Sequence, residues 1–233
     1  MVVASARARP VPAVVVLGGV AAAAWVALAA GVGGHTSHDE VLGHGHALHL
    51  AEVAALIAGW QLMVAAMMLP PEVGSAVRDS AVRTGVAAAC GVVAVTAAVW
   101  TAFAIVALSG DSLVHELAGS RPWLAHLVAP AVLIGAGLFQ LTPVKRRLLD
   151  ATRCTPTLSW RHTLSCLGNC GTLMLVMFAV GVGSLIWMAV LTAVMVAERA
   201  VRPALAPWVT SFAGVALIIT ALHTTAGHHS MIG

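Results

Sequence analysis

The feature that most constrains this chain is a succession of apolar runs, each about as long as a bilayer is thick. A hydrocarbon core of roughly 30 Å needs about 20 helical residues to cross it. Seven such segments can be cut from the sequence, at 11–32, 51–69, 85–108, 123–142, 163–181, 184–199 and 205–223. In lipid every backbone polar group must be satisfied within the structure, so runs of this length read as helices. The expected fold class is therefore all-α, a polytopic transmembrane bundle of about seven spans forming a single membrane domain over residues 1–233. Composition agrees: 60% of residues are hydrophobic and 9% charged, with mean hydropathy +0.94, against roughly 45–50% apolar in soluble domains.

Two boundaries need argument. The start, MVVASARARP, is basic like a signal peptide, but the apolar run that follows reaches Val32, too long for a cleaved segment, and is read as a retained first span. Between 163 and 199 the only break is Gly181, Gly183 and Ser184; one helix over that stretch would be roughly 55 Å long, so a tight hairpin is expected. Proline is expected to end the second span at Pro70 and Pro71.

Positive charge tests the span count independently. With seven spans, Arg7, Arg9, Arg78, Arg83, Lys145, Arg146, Arg147, Arg153, Arg161, Arg199 and Arg202 share one side, which the positive-inside rule makes cytoplasmic, leaving Arg121 outside. The N-terminus is then cytoplasmic and the C-terminus external. A basic cytoplasmic loop spans 143–162, with Lys145 to Arg147 as an anchor at the lipid headgroups; Glu198 with Arg199 reads first as an interfacial anchor and next as a structural ion pair to that loop. Trp25, Trp100, Trp123 and Trp208 fall near run ends, where aromatic belts are expected. The pI near 9.0 thus reflects topology, and with no basic face on a soluble module, no nucleic-acid partner is expected. The four cysteines lack disulfide-framework spacing.

Histidine partitions the other way. His35, His38, His44, His46 and His49 fill an external loop at 33–50, His115 and His126 flank the next external segment, and His223, His228 and His229 lie at the external C-terminal end; only His162 is cytoplasmic. The loop, GGHTSHDEVLGHGHALHLAE, combines imidazoles with Asp39, Glu40 and Glu52 and suits borderline metals such as Cu(II) or Zn(II). Asp111, His115 and Glu116 read first as a solvated turn, with an extension of the external metal site as the alternative.

Sulfur is concentrated in two spans. Cys166, Cys170 and Met174 stand at four-residue steps in CLGNCGTLMLVM, with Met177 following, and so stack on one helix face. Thiolate and thioether together select Cu(I), although Cys, Gly and Met at this spacing also serve close helix packing, and both readings stand. In WQLMVAAMMLPP, Met63 and Met67 are likewise four apart, with Met68 adjacent. Met63, about 10 Å from the inner end of its span, and Cys170, about 12 Å from its own, lie at similar depth. Gln140 sits near the inner end of the fourth span, and intramembrane polar groups mark ion or substrate paths.

These segments resemble a bacterial family of metal-binding integral membrane proteins of undetermined function, whose members are often labelled copper chaperones. The matching residues are Trp60, Met63 and Ala66 to Pro70; Gln140 to Pro143 and Lys145; Cys166 to Gly168, Cys170, Leu173 and Met174; and Phe178, Gly181, Trp187, Met188 and Glu198. The family commonly has two cysteines where this chain has Leu148 and Thr152, and a Cys-Cys-Trp run where it has Asn169, Cys170 and Gly171. The resemblance implies metal handling with a reduced ligand set, in a multi-pass protein of the bacterial cytoplasmic membrane.

The expected function is copper handling for delivery or transport. External His35, His38, His44, His46, His49, His223, His228 and His229 would capture copper, and Met63, Met67, Cys166, Cys170 and Met174 would hold Cu(I). The alternative is an accessory or assembly subunit of a copper-dependent membrane enzyme, with other membrane subunits as partners. Catalysis is not expected. Ser184 has no histidine at its depth to act as base, and no histidine lies deep enough in a span for a b-type haem.

Overall fold

A computed structural model describes residues 12–32, 50–79, 82, 85–120, 122–180 and 184–229. Among these the chain is all-α, with no strand. Its helices are α1 (Pro12–Ala29), α2 (Leu50–Arg78), α3 (Val86–Ser120), α4 (Pro122–Leu141), α5 (Pro143–Cys154), α6 (Trp160–Val180), α7 (Leu185–Ala200) and α8 (Ala206–His229). Among the described residues, four stretches are long and apolar enough to cross a membrane: Pro12–Ala29, Ala54–Arg78, Val86–Val114 and Ala206–His223. A fifth is possible if Leu127–Leu141 and Pro143–Cys154, bent by 67°, are taken as one broken span.

The expected stop at Pro70 and Pro71 does not occur, because α2 runs through both to Arg78. A proline at 70 removes the N–H that would bond the carbonyl of Ala66. The indole Nε1 of Trp25, on α1, donates to that carbonyl at 2.9 Å, so the lost helix bond is replaced from a neighbour, as membrane helices with internal proline require. Trp25 is therefore a structural donor. Trp100 also departs from the belt reading: it is 1% exposed and its own carbonyl accepts from Trp60 Nε1 at 3.0 Å. Trp208, 76% exposed, does face outward. Asp111, His115 and Glu116 lie within α3 and not in a turn.

Helix α1 lies along α2, and α8 along α4, as the two most extensive pairings; α7 packs on α2, and α6 meets α3, α4, α5 and α7. The α4–α8 contact is set by two glycines. A Cβ on Gly137 would stand 2.7 Å from the carbonyl oxygen of Gly214, and one on Gly214 would stand 2.7 Å from that of Gly137. Small residues that let backbones touch replace the hydrophobic drive that lipid does not supply. Outward positions such as Ile105, Val106, Ile186 and Phe212 carry large apolar side chains.

The sharp turn from α4 into α5 has a local cause. Thr142 is extended (φ −75°, ψ 152°), its hydroxyl accepts from Lys145 N at 3.2 Å, and Pro143 follows at the first helical position. So Pro143–Cys154, within the stretch read as a basic loop, is an amphipathic helix burying Lys145, Leu149 and Thr152 and exposing Arg146 and Arg147. The break before α7 is capped by Ser184, whose hydroxyl accepts from Trp187 N at 3.4 Å.

Candidate metal centre

The core that unites α2, α3, α4, α6, α7 and α8 is rich in sulfur. Met63, Met67, Met68, Cys166, Cys170, Met174, Met177, Met188 and Met195 all belong to one buried cluster. Each has a helical reason to point inward. On α6 the buried positions His162, Thr163, Cys166, Asn169, Cys170, Leu173, Met174 and Met177 recur at three- and four-residue steps, while Arg161, Leu164 and Leu175 face out. On α7 the inward stripe is Met188, Leu191, Thr192, Met195, Glu198 and Arg199.

The sequence candidates divide accordingly. Met63 (2% exposed), Met67 (0%), Cys166 (4%), Cys170 (0%) and Met174 (0%) belong to this one buried core, and both cysteines are free thiols. His35, His38, His44, His46 and His49 lie outside the described residues. His223 is on α8, exposed, with Nδ1 2.9 Å from the carbonyl of Ile219. His228 and His229 close the same helix, and their side chains lie outside the described set.

Charged groups complete the core, Arg199 among them, contrary to its first-read place at the interface. Arg199 reaches in from α7: Nη1 donates to Glu72 Oε1 at 2.5 Å, and Nη2 lies 2.9 Å from Cys166 Sγ and 3.8 Å from Cys170 Sγ. Glu72, on α2 beyond the two prolines, also pairs through Oε2 with His162 Nε2 at 2.8 Å. Asn169 Nδ2 points at Cys170 Sγ at 3.6 Å. The two sulfurs thus face three N–H contacts. The buried Nδ1 of His162 has no hydrogen-bond partner. A partly open crevice reaches this group between α2, α3 and α6, lined among others by Glu72, Trp100, Thr157, His162 and Cys166.

A second ion pair lies beside the first. Lys145 Nζ is 2.8 Å from Glu198 Oε2, with both side chains fully buried, and also donates to the carbonyl of Asn169 at 2.8 Å. Gln140 Nε2 donates to Glu198 Oε1 at 3.1 Å, and Arg153 caps the end of α7 by donating to the carbonyls of Glu198 and Val201. Lys145 is therefore a strut between α5, α6 and α7 and not a headgroup anchor, and Glu198 and Arg199 are interior residues. The lysine and acid satisfy each other, which makes their burial tolerable.

Among the described residues no group of three or more His, Cys, Asp or Glu side chains is arranged to hold a metal ion. Two thiols and several thioethers share this one buried cluster, and donors of that kind suit Cu(I) better than hard ions. A family model described as PpoB2, copper chaperone, matches residues 57–224, well over half of the chain. The chain belongs to the PpoB2 copper chaperone family. No curated protein and no solved structure matches it. The matched span of this copper chaperone family member contains the whole buried cluster of sulfur and charge and excludes the His-rich 33–50 segment.

Sequence reasoning missed Glu72, His162 and Arg199 as parts of the core. A signal was present: Arg199 stands one residue past Glu198 at the polar end of an apolar stripe, and Glu72 directly follows the proline pair. Both sit where an ion pair can be hidden between helix ends.

Proposed function

We propose that this chain is a multi-pass copper chaperone of the bacterial cytoplasmic membrane, in which external imidazoles collect copper and an internal thiol–thioether site holds Cu(I) for delivery. One observation carries the reading: Cys166 and Cys170 are buried together with Met63, Met67 and Met174, and their sulfurs face Arg199 and Asn169. Burial away from water protects Cu(I) from oxidation and competing ligands, while thioethers, being neutral, let the ion leave more readily than a third thiolate would. Asn169, beside Cys170, adds no third thiolate. Copper here is cargo, and no reaction at a substrate bond is assigned.

The seven-span topology belongs to the same reading. Helix α6, at 21 residues, is about 31 Å long, enough to cross, and its Asn169 and Cys170 are fully buried. The 16 residues of α7 reach about 24 Å, and its Glu198 and Arg199 are buried near one end. With α6 and α7 as spans, the basic residues gather on the cytoplasmic side and the His-rich segment outside.

The test is a Cu(I) titration of detergent-purified protein against a competing chelator, with X-ray absorption on the loaded sample. A sulfur-dominated shell that is lost in Cys166→Ser/Cys170→Ser protein is expected. Unchanged Cu(I) affinity in that variant would remove the internal site, and a shell of nitrogen donors alone would move the function to the histidines.

A further inference from the structure

Arg199 is the only charged side chain described here as hydrogen-bonded to both thiols, and its position has an electrostatic consequence. Its Nη2 lies 2.9 Å from Cys166 Sγ and 3.8 Å from Cys170 Sγ, and its side chain is 3% exposed. The other end of the guanidinium is committed to Glu72, which is shared with His162. Its sequence neighbour Glu198 is turned to Lys145 and Gln140. The cation is thus held against the sulfurs by a second-side acid, from a different helix than the cysteines.

We infer that Arg199 is a charge-selecting residue: it makes the Cys166–Cys170 pair prefer monovalent Cu(I) over divalent Zn(II). This rests on the reading of that pair as the internal copper site. Two thiolates around Cu(I) form a complex with one net negative charge, whereas two thiolates around Zn(II) are neutral. A fixed guanidinium at contact distance stabilises the first and gives nothing comparable to the second. In a buried site a unit-charge attraction at this range is only weakly screened. Softness of the ligands favours Cu(I) but also admits Zn(II), which thiolates bind well. The fixed positive charge supplies discrimination that sulfur does not. It also explains why an arginine is buried against cysteines at all, since its fork can hold Glu72 and the sulfurs at once, which a lysine holds less well.

The experiment compares Cu(I) and Zn(II) affinities, each by chelator competition on the purified full chain, for wild type, Arg199→Gln, Arg199→Lys and Cys166→Ser/Cys170→Ser. Arg199→Gln is expected to weaken Cu(I) by about 100-fold or more with Zn(II) changed less than about threefold, as loss of a contact charge on an anionic complex requires. Arg199→Lys, which keeps the charge, should recover most of the Cu(I) preference. Equal loss of both metals, or no change in either, would overturn the inference while leaving the cysteine site standing, provided the double serine variant loses Cu(I). If the double serine variant keeps full Cu(I) affinity, the site reading fails and the inference with it. Should Arg199→Gln fail to fold, Glu72→Gln/Arg199→Gln removes both charges of the ion pair; because the guanidinium is the charge that touches the sulfurs, this variant should show a smaller loss of Cu(I) that is still selective over Zn(II), and a parallel loss of both metals, or no change in either, would again refute the inference.

Discussion

Replacing Glu198 with alanine isolates the strut that joins α5 and α6 to α7. Lys145 and Glu198 are both fully buried and 2.8 Å apart, so removing the acid leaves an ammonium inside the protein with only the carbonyl of Asn169 as its remaining described partner. It also strands the amide of Gln140. Breaking a buried pair from one side costs about 3–5 kcal/mol, much of it the desolvation of the charge left behind. For a chain of this size each kcal/mol moves the melting midpoint by about 2–4 °C, so Glu198→Ala should melt roughly 6–20 °C below wild type in the same detergent. Lys145→Met alone should cost a similar amount, because Glu198 then keeps its charge with Gln140 as its described side-chain donor. The double variant Lys145→Met/Glu198→Gln removes both charges while keeping an acceptor for Gln140, and is expected within about 2 kcal/mol of wild type. Thermal scans of all four proteins, monitored by intrinsic tryptophan fluorescence and far-UV circular dichroism, compare a one-sided break of the pair with removal of both charges. If Glu198→Ala melts within about 2 °C of wild type, or the double variant is no better than the worse single, the pair is not the buried strut described.

Three further perturbations probe the frame and the metal reading. Trp25→Phe should cost about 1–3 kcal/mol by orphaning the Ala66 carbonyl, and much less in a Pro70→Ala background, where the restored N–H takes over; equal costs in the two backgrounds would mean the indole does not replace the proline's lost bond. Gly137→Ala forces a Cβ to 2.7 Å from the Gly214 carbonyl oxygen and should lower stability by about 1–3 kcal/mol, whereas Gly18→Ala, with nothing within 4 Å, should be neutral or stabilising by up to about 1 kcal/mol; the melting midpoints should separate the two, and similar values would deny the α4–α8 contact. Replacing His44, His46 and His49 together by alanine should reduce Cu(II) binding by intact cells while leaving the Cu(I) titration of purified protein unchanged, and a loss of Cu(I) affinity would make the histidines part of the internal site.

Much of the architecture was legible because it depends on local pattern. Apolar runs of bilayer length dictated helices, and four-residue spacing put Cys166, Cys170 and Met174 on one face whatever that face met. Thr142 and Pro143 carry a helix start in their own chemistry. Sequence alone could not say that α2 would run through Pro70 and Pro71, because the donor that makes this tolerable is Trp25, 41 residues away. Nor could it say that Lys145, Glu198 and Arg199 point inward. A charge at the end of an apolar helix can reach the interface or a buried partner at similar cost, and the partner exists only once α2, α5, α6 and α7 have been brought together. Periodicity therefore determined which residues share a helix face, while tertiary packing alone decided which faces meet, and with them which charge stands beside the two thiols.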